Sequence, residues 1–281
     1  MKADSKLLPW PLTIEKISLL YSLNRFFTTK HNLICKPFSV NRQLRMLRKG
    51  RIIKDSSRDF DLMNIYFLNR SMHQANEACN KLWSTIEVVY SVRKHKLCKS
   101  FHENFLISSV IPTLHYANIS AMLSILSLFG VASLANKGEK LTFYNIIRTI
   151  NGILLIERNK YLAAAFGKVK HGWHSQIIQT YQELQKSGVK LPKIDIAGCK
   201  TLLRERNKLH YDILGQLSMR EAYGITKYFG LLPIPFSTIS TAIKSIHEVV
   251  KPIPNGCDRR FQELSRKLKS LLENYEIQTL N

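Results

Sequence analysis

The stretch from Asn104 to Asn136 contains no Asp, Glu, Lys or Arg. Its second half, Tyr116 to Ala135, has the length of a membrane-spanning helix. A helix that is apolar on all sides has to be covered by the rest of the protein, by a partner or by lipid. This stretch therefore constrains the fold more than any other feature of the chain.

Polar residues within the stretch favour a buried core helix over a membrane span. Pro112, His115 and Asn118 are unfavourable in lipid unless other groups satisfy them. Serines at spacings of 4 and 3 form a small-residue stripe, which is typical of close helix packing. The stripe consists of Ser120, Ser124 and Ser127. We expect a buried core helix, or a helix that packs closely against a partner through this stripe, with a membrane-associated segment at residues 105–135 as the alternative.

Apolar residues recur at helical spacing through most of the chain, and strict two-residue alternation is rare. The longest apolar seam lies between Asp61 and Lys96, at Leu62, Ile65, Leu68, Met72, Ala75, Cys79, Leu82, Ile86, Val89 and Tyr90. Further helices are predicted over residues 13–28, 42–49, 101–135, 142–165, 175–186, 199–217, 238–250 and 258–275. Connections rich in Gly and Pro are expected at 187–198 and 224–235. The pattern predicts an all-α protein.

The chain is strongly basic, with 42 Lys and Arg against 20 Asp and Glu and a formal net charge of +22. These cations are spread along the chain rather than confined to a tail. Charge of this sign and size favours a polyanionic partner such as RNA. A solvated basic surface and attraction to an acidic membrane leaflet are the alternatives.

Basic segments at 42–54, 93–99, 168–174 and 259–269 are the predicted guides for RNA. The individual residues that we expect to contact nucleic acid are Arg45, Arg48, Lys168, Lys170, His171 and Lys208. For the arginines of the 42–49 helix, a solvated helix face explains the spacing equally well.

Metal ligands and disulfides are not expected. The five cysteines are odd in number, far apart and without a C-x-x-C pair, which favours a reducing compartment and a cytoplasmic location. The acidic residues are scattered, whereas a two-metal nuclease needs inward carboxylates that hold its ions. The sequence also lacks a Gly-rich phosphate loop. We therefore predict metal-free chemistry with no cofactor.

One predicted helix groups Arg204, Arg206, Asn207 and His210. Arg206 and His210 share a helix face, whereas Arg204 and His210 are separated by about 120° around the axis. Arginine binds phosphate oxygens in a bidentate manner, and histidine transfers protons near neutral pH. Metal-free RNA cleavage needs a cation for the charged phosphorane and a group that moves protons. A charged surface helix in which Glu205 pairs with a lysine or arginine is the structural alternative.

Arg206-Asn207 followed by His210-Tyr211, on a late helix of a predicted all-α chain, resembles the HEPN superfamily of helical-bundle ribonucleases. In that family four to six residues separate the histidine from an arginine that is usually followed by a polar residue. Arg206 is followed by Asn207, but only three residues separate it from His210, whereas five residues separate Arg204 from His210 and Arg204 is followed by Glu205. Both arginines therefore stay candidates.

The resemblance implies a HEPN-like helical bundle and a metal-independent endoribonuclease, commonly a homodimer with a composite site and often a toxin or antiviral-defence effector. His210 would assist proton transfer, Arg204 or Arg206 or both would bind the scissile phosphate, and Asn207 would orient the group. The implied partners are RNA, a second copy of the chain, and an antitoxin or defence-complex protein.

We divide the chain into a basic N-terminal helical extension at 1–58, the HEPN-like core at 59–250 and a C-terminal amphipathic helix at 251–281. The alternative function is a non-catalytic nucleic-acid-binding or scaffold subunit of a ribonucleoprotein or defence complex. Charge alone does not distinguish an enzyme from such a binding protein.

Overall fold

The computed structural model describes residues 8–9, 53–54, 58–94, 100–129, 131–134, 142–148, 153–158, 172–186, 191–211, 225–250, 266–267, 269–270 and 273. The chain forms two compact units, each assembled from separate segments. Unit 1 comprises residues 1–73, 124–191 and 245–262, and unit 2 comprises residues 74–123, 192–244 and 263–281. The three-part domain division stays a prediction.

Most of the described residues lie in helices. The predicted mainly α fold class is therefore confirmed for the described part of the chain. The helices are α1 (Arg58–Lys94), α2 (Ser100–Leu128), α3 (Trp173–Lys186), α4 (Ile196–Tyr211), α5 (Ile225–Leu231) and α6 (Pro233–Val250). The described residues of the C-terminal segment, between 266 and 273, are helical as well. The helices predicted over 13–28 and 42–49 lie outside the described residues.

A small antiparallel sheet belongs to unit 1. Its strands are β1 (Leu8–Pro9), β2 (Ile53–Lys54), β3 (Val131–Leu134), β4 (Thr142–Arg148) and β5 (Ile153–Arg158). The order is β1-β4-β5-β2, and β3 also pairs with β4. In the central hairpin, which β4 and β5 form, Ile146 is paired with Ile156. Since β1 pairs with residues 147–148 of β4 and β3 with residues 142–145, the two share one edge of β4.

The helix predicted over 142–165 is wrong, because β4 and β5 occupy residues 142–148 and 153–158. Short apolar runs are compatible with either a helix or a strand. The overlooked signal is Asn151-Gly152, which lies between two runs rich in Ile and Leu. Asn-Gly between such runs is a strong hairpin indicator because both residues tolerate positive φ.

The connection predicted at 224–235 is also wrong over most of its length. Helix α5 begins at Ile225, and only Leu232 separates its last residue, Leu231, from α6. Pro233 is the first residue of α6, where its missing N–H costs no helical hydrogen bond. The proline therefore marks the start of a helix rather than a loop.

The apolar seam of α1 is buried at its described positions up to Val89. The buried members are Leu68, Met72, Ala75, Cys79, Leu82, Ile86 and Val89. Tyr90 is the exception, because 45% of it is exposed and Lys94 Nζ lies 5.6 Å from its ring centroid. The prediction of core material is thus confirmed for the seam and wrong for Tyr90.

Helix α2 is the buried core helix that the charge-free stretch predicts. In unit 1, Ser124 Oγ donates to the Ser71 carbonyl at 2.8 Å. In unit 2, Lys81 Nζ donates to Ser120 Oγ at 3.2 Å. Ser71 and Lys81 both lie on α1, so two serines of the stripe are hydrogen-bonded to that helix.

Among the residues that the structure describes, two helical segments have the length and composition of a membrane span, Ser109–Leu128 and Thr226–Glu248. Within the protein, 78% of the first and 44% of the second is buried. A buried core helix passes the same test of length and composition, so these two segments are weak support for membrane insertion.

Helix α4 has a defined start. Asp195 is its N-cap, and Asp195 Oδ1 accepts a hydrogen bond from Gly198 N at 2.8 Å. Gly198 is buried at a position where a Cβ would overlap the Asp195 carboxylate and lie 3.0 Å from Ile234 Cγ1. The cap therefore determines where the helix that carries the predicted Arg, Asn and His residues begins.

Candidate nucleic-acid site

The predicted catalytic residues lie in the second half of α4, in unit 2, and differ in exposure. Arg204, Asn207 and His210 are exposed, whereas Arg206 is half-buried. His210 follows Arg206 by four residues, one helical turn, as the sequence predicts. The helix therefore presents the arginine and the histidine on neighbouring turns, with the arginine closer to the protein interior.

Arg206 is held by two hydrogen bonds. Its Nη2 donates to Tyr116 Oη on α2 at 2.9 Å, and its Nη1 donates to Asn207 Oδ1 at 2.9 Å. The guanidinium carbon lies 5.6 Å from the centroid of the Tyr116 ring. Asn207 is thus a hydrogen-bond partner of the arginine, and its catalytic role stays a prediction.

A second cation lies beside the same ring. Lys81 Nζ, on α1, is 5.9 Å from the Tyr116 ring centroid. It forms an ion pair with Glu77 at 2.5 Å as well as the hydrogen bond to Ser120. We call Lys81, Tyr116, Arg206 and Asn207 the Tyr116 cluster. Three helices of unit 2 thus bring two cations and an aromatic ring together, which is a combination that recognises phosphate and unstacked bases.

Arg204 occupies a different environment. Its Nε lies 3.3 Å from Glu205 Oε1, and its side chain is 65% exposed. Glu205 itself is 1% exposed, and Lys208 Nζ and Lys227 Nζ lie 3.9 and 4.0 Å from its carboxylate oxygens. Pairing of Glu205 with basic residues, the structural alternative raised from the sequence, is therefore present.

The predicted nucleic-acid contacts are mostly outside the described residues. Arg45, Arg48, Lys168, Lys170 and His171 fall in this group. Lys208 is described, is half-buried and lies near Glu205. Its role as a nucleic-acid contact therefore stays a prediction.

Sequence reasoning missed Tyr116 and Lys81. Tyr116 precedes Arg206 by 90 residues, and only packing of α2 against α4 brings them together. Lys81 directly precedes Leu82 of the apolar seam, and its sequence context is typical of an ordinary surface lysine. A possible signal was Tyr116 itself, a residue with a hydroxyl inside the charge-free stretch, because a buried tyrosine hydroxyl usually finds a partner.

Cys199 lies in the first half of α4, before the predicted catalytic residues, and is fully buried. Asn118 Nδ2 donates to its Sγ at 3.1 Å. Burial raises the pKa of the Cys199 thiol to about 11, and the Asn118 hydrogen bond offsets only part of this increase. The thiol keeps its proton at neutral pH and is therefore not a nucleophile there.

Among the described residues, no group of three or more His, Cys, Asp and Glu side chains is placed to hold a metal ion. Metal independence stays a prediction from the sequence. The chain matches no protein-family model, and no curated protein or solved structure is significantly similar to it. Membership of the HEPN superfamily therefore stays a prediction as well.

Proposed function

We propose that the protein is a metal-independent endoribonuclease with a HEPN-like helical bundle, in which α4 carries the catalytic groups. The observation that carries the proposal is the Tyr116 cluster, where Asn207 and Tyr116 position the Arg206 guanidinium one helical turn from His210. A positioned arginine recognises the planar array of phosphate oxygens better than a mobile one. RNA is the proposed substrate because the net charge of +22 attracts a polyanion.

In the proposed reaction, the 2′-hydroxyl oxygen of RNA attacks the adjacent phosphorus and the bond to the 5′-oxygen breaks. The products are a 2′,3′-cyclic phosphate and a 5′-hydroxyl. Arg206 stabilises the charge of the phosphorane, and His210 transfers a proton during attack or departure. Lys81 lies beside Tyr116 as part of its ion pair with Glu77. Arg204 is exposed and guides the phosphate backbone toward the helix.

We further propose a cytoplasmic homodimer, with a toxin or antiviral-defence role and an antitoxin or defence-complex protein as a partner. The exposed position of His210 supports a composite site, because a second copy or the RNA itself has to cover this side chain before it works in a shielded environment.

The second candidate function is a non-catalytic nucleic-acid-binding subunit. It is favoured by the composition of the Tyr116 cluster, whose lysine, arginine, tyrosine and asparagine bind phosphates and bases without moving a proton. If the protein is such a subunit, His210 is a surface residue without a catalytic role. The Tyr116 cluster then contributes only to the affinity for nucleic acid.

The test is an incubation of the purified full chain with end-labelled single-stranded RNA and tRNA in excess EDTA. The His210→Ala variant is compared with His73→Ala, a matched control that removes an exposed histidine from α1. We expect cleavage with 2′,3′-cyclic phosphate ends by the native chain and the His73→Ala control. We expect none by His210→Ala, which should retain most of its RNA affinity.

Two results would contradict the ribonuclease proposal. Equal cleavage by His210→Ala and the native chain would remove His210 from the reaction. Tight RNA binding without cleavage by all three proteins would instead favour the binding subunit.

A further inference from the structure

A pocket of about 380 Å³ lies in unit 2, apart from the residues of the Tyr116 cluster. The described residues that line it are Cys79, Asn80, Trp83, Arg266, Lys267 and Ser270. The first three lie on α1, and the others belong to the helical C-terminal segment. Its volume falls at the lower end of the range of small-molecule sites, about 300–1,000 Å³.

The apolar wall of the pocket is aromatic. Trp83 is half-buried, so its indole is anchored in the protein and still accessible. Cys79 beside it is buried, and burial raises the pKa of its thiol to about 11 despite the opposing effect of Lys267. The thiol is therefore neutral and adds apolar surface. A flat aromatic ring fits such a wall by stacking on the indole.

The polar part of the lining is cationic. Lys267 Nζ donates to Asn76 Oδ1 and, at 3.2 Å, to Asn80 Oδ1. These two amides hold the ammonium at the pocket and use two of its three N–H donors. Arg266 adds an exposed guanidinium, and Ser270 adds a hydroxyl. No carboxylate is present among the described lining residues, so the pocket attracts an anion.

We infer that this pocket binds one nucleotide, with its base on Trp83 and its phosphate on Arg266 and Lys267. The required chemistry is an aromatic ring joined to an anionic group, and a nucleotide supplies both at the right scale. The nucleotide is either free in solution or an unpaired residue of an RNA strand. Binding at the pocket is measured directly, so the inference does not depend on ribonuclease activity.

The test uses Trp83 as the reporter. The chain has three tryptophans, so Trp10→Phe with Trp173→Phe leaves Trp83 as the sole source of indole fluorescence. This protein is titrated with AMP, with adenosine, and with a short single-stranded RNA that is 2′-O-methylated and thus protected from attack by its own 2′-hydroxyl. Heat of binding of the same ligands to the unsubstituted chain provides a second measurement that does not depend on the two substitutions.

We expect saturable quenching by AMP and weaker binding of adenosine, which lacks the phosphate. Arg266→Gln should weaken AMP binding about tenfold, since a charge-assisted hydrogen bond is lost. Lys269→Gln is the matched control, because it removes one charge from the same segment and lies outside the pocket lining. It should leave AMP binding within about twofold of the unsubstituted chain.

The outcomes separate the two sources of the nucleotide. Quenching by the methylated RNA but not by AMP would assign the pocket to an unpaired residue of a strand, and quenching by AMP would assign it to a free nucleotide. The inference is overturned if no ligand binds in either measurement. It is also overturned if Arg266→Gln and Lys269→Gln have the same affinity.

Discussion

Tyr228 and Thr85 form a buried hydroxyl pair whose two members should respond differently to mutation. Tyr228 lies on α5 and Thr85 on α1, both are fully buried, and their hydroxyl oxygens are 3.2 Å apart. Thr85 Oγ1 also donates to the Leu82 carbonyl at 2.8 Å. The Thr85 hydrogen is thus already used, and Tyr228 is the donor in the pair. The residue that precedes Tyr228 on α5 is Lys227, whose Nζ lies 4.0 Å from Glu205 Oε2.

The two single substitutions should therefore have unequal costs. Tyr228→Phe removes the donor, but Thr85 keeps its bond to the Leu82 carbonyl, so the loss is about 0.5–1.5 kcal/mol. Thr85→Val leaves the Tyr228 hydroxyl buried without its acceptor, which costs about 1–3 kcal/mol. In the double variant no hydroxyl is left unsatisfied, so adding Tyr228→Phe to Thr85→Val should recover roughly 1 kcal/mol.

The assay is urea unfolding of the four proteins that make up the cycle, with the midpoint compared at an unchanged slope. Thr241→Val is the matched control, because its hydroxyl donates to the Ser237 carbonyl at 2.9 Å at an exposed site. Its free energy of unfolding should change by less than about 0.5 kcal/mol. The reasoning is refuted if Thr85→Val is no more destabilising than Tyr228→Phe, or if the costs of the two single substitutions add in the double variant.

Three further predictions concern α4 and its surroundings. Tyr116→Phe removes the acceptor of the Arg206 hydrogen bond, so single-turnover RNA cleavage, or RNA affinity if no cleavage occurs, should fall by about fivefold; an unchanged value would argue against a positioned Arg206. Gly198→Ala should lower the melting temperature, although alanine normally favours a helix, because the new Cβ would overlap the Asp195 carboxylate of the N-cap; a rise would contradict this role. Burial raises the pKa of the Cys199 thiol from 9.0 to about 11, so the folded state holds the proton more tightly and its stability should decline by up to roughly 3 kcal/mol between pH 9 and 11. Urea unfolding across this range should show a smaller decline for Cys199→Ala, and an identical decline would refute the assignment.

Helical periodicity predicted the long helices well. Residues 61–96 are predicted to be helical, and α1 spans Arg58–Lys94. The helix predicted over 101–135 matches α2 as far as Leu128, but its last part is wrong because β3 occupies Val131–Leu134. Both predictions rest on contacts between residues three and four apart, which are local in the sequence. Periodicity does not predict the hairpin of β4 and β5, because its apolar runs have no distinctive period and its local signal is the Asn151-Gly152 pair.

The candidate site was predictable only in part. The placement of Arg206, Asn207 and His210 on one helix follows from their spacing, and the structure has them on α4. The burial of Glu205 was not predictable, because a glutamate in a run of basic residues is normally exposed.

The sequence by itself determined the strong positive charge, the mainly helical class and the core position of the charge-free stretch. These properties depend on composition and on residues within one helical turn of each other. The tertiary structure alone decided that Arg206 and Lys81 both lie beside Tyr116 and that Trp83 lines the same pocket as Arg266 and Lys267. The physical reason is that these neighbours come from helices far apart in the chain, whose packing depends on burial of whole faces and not on any local spacing.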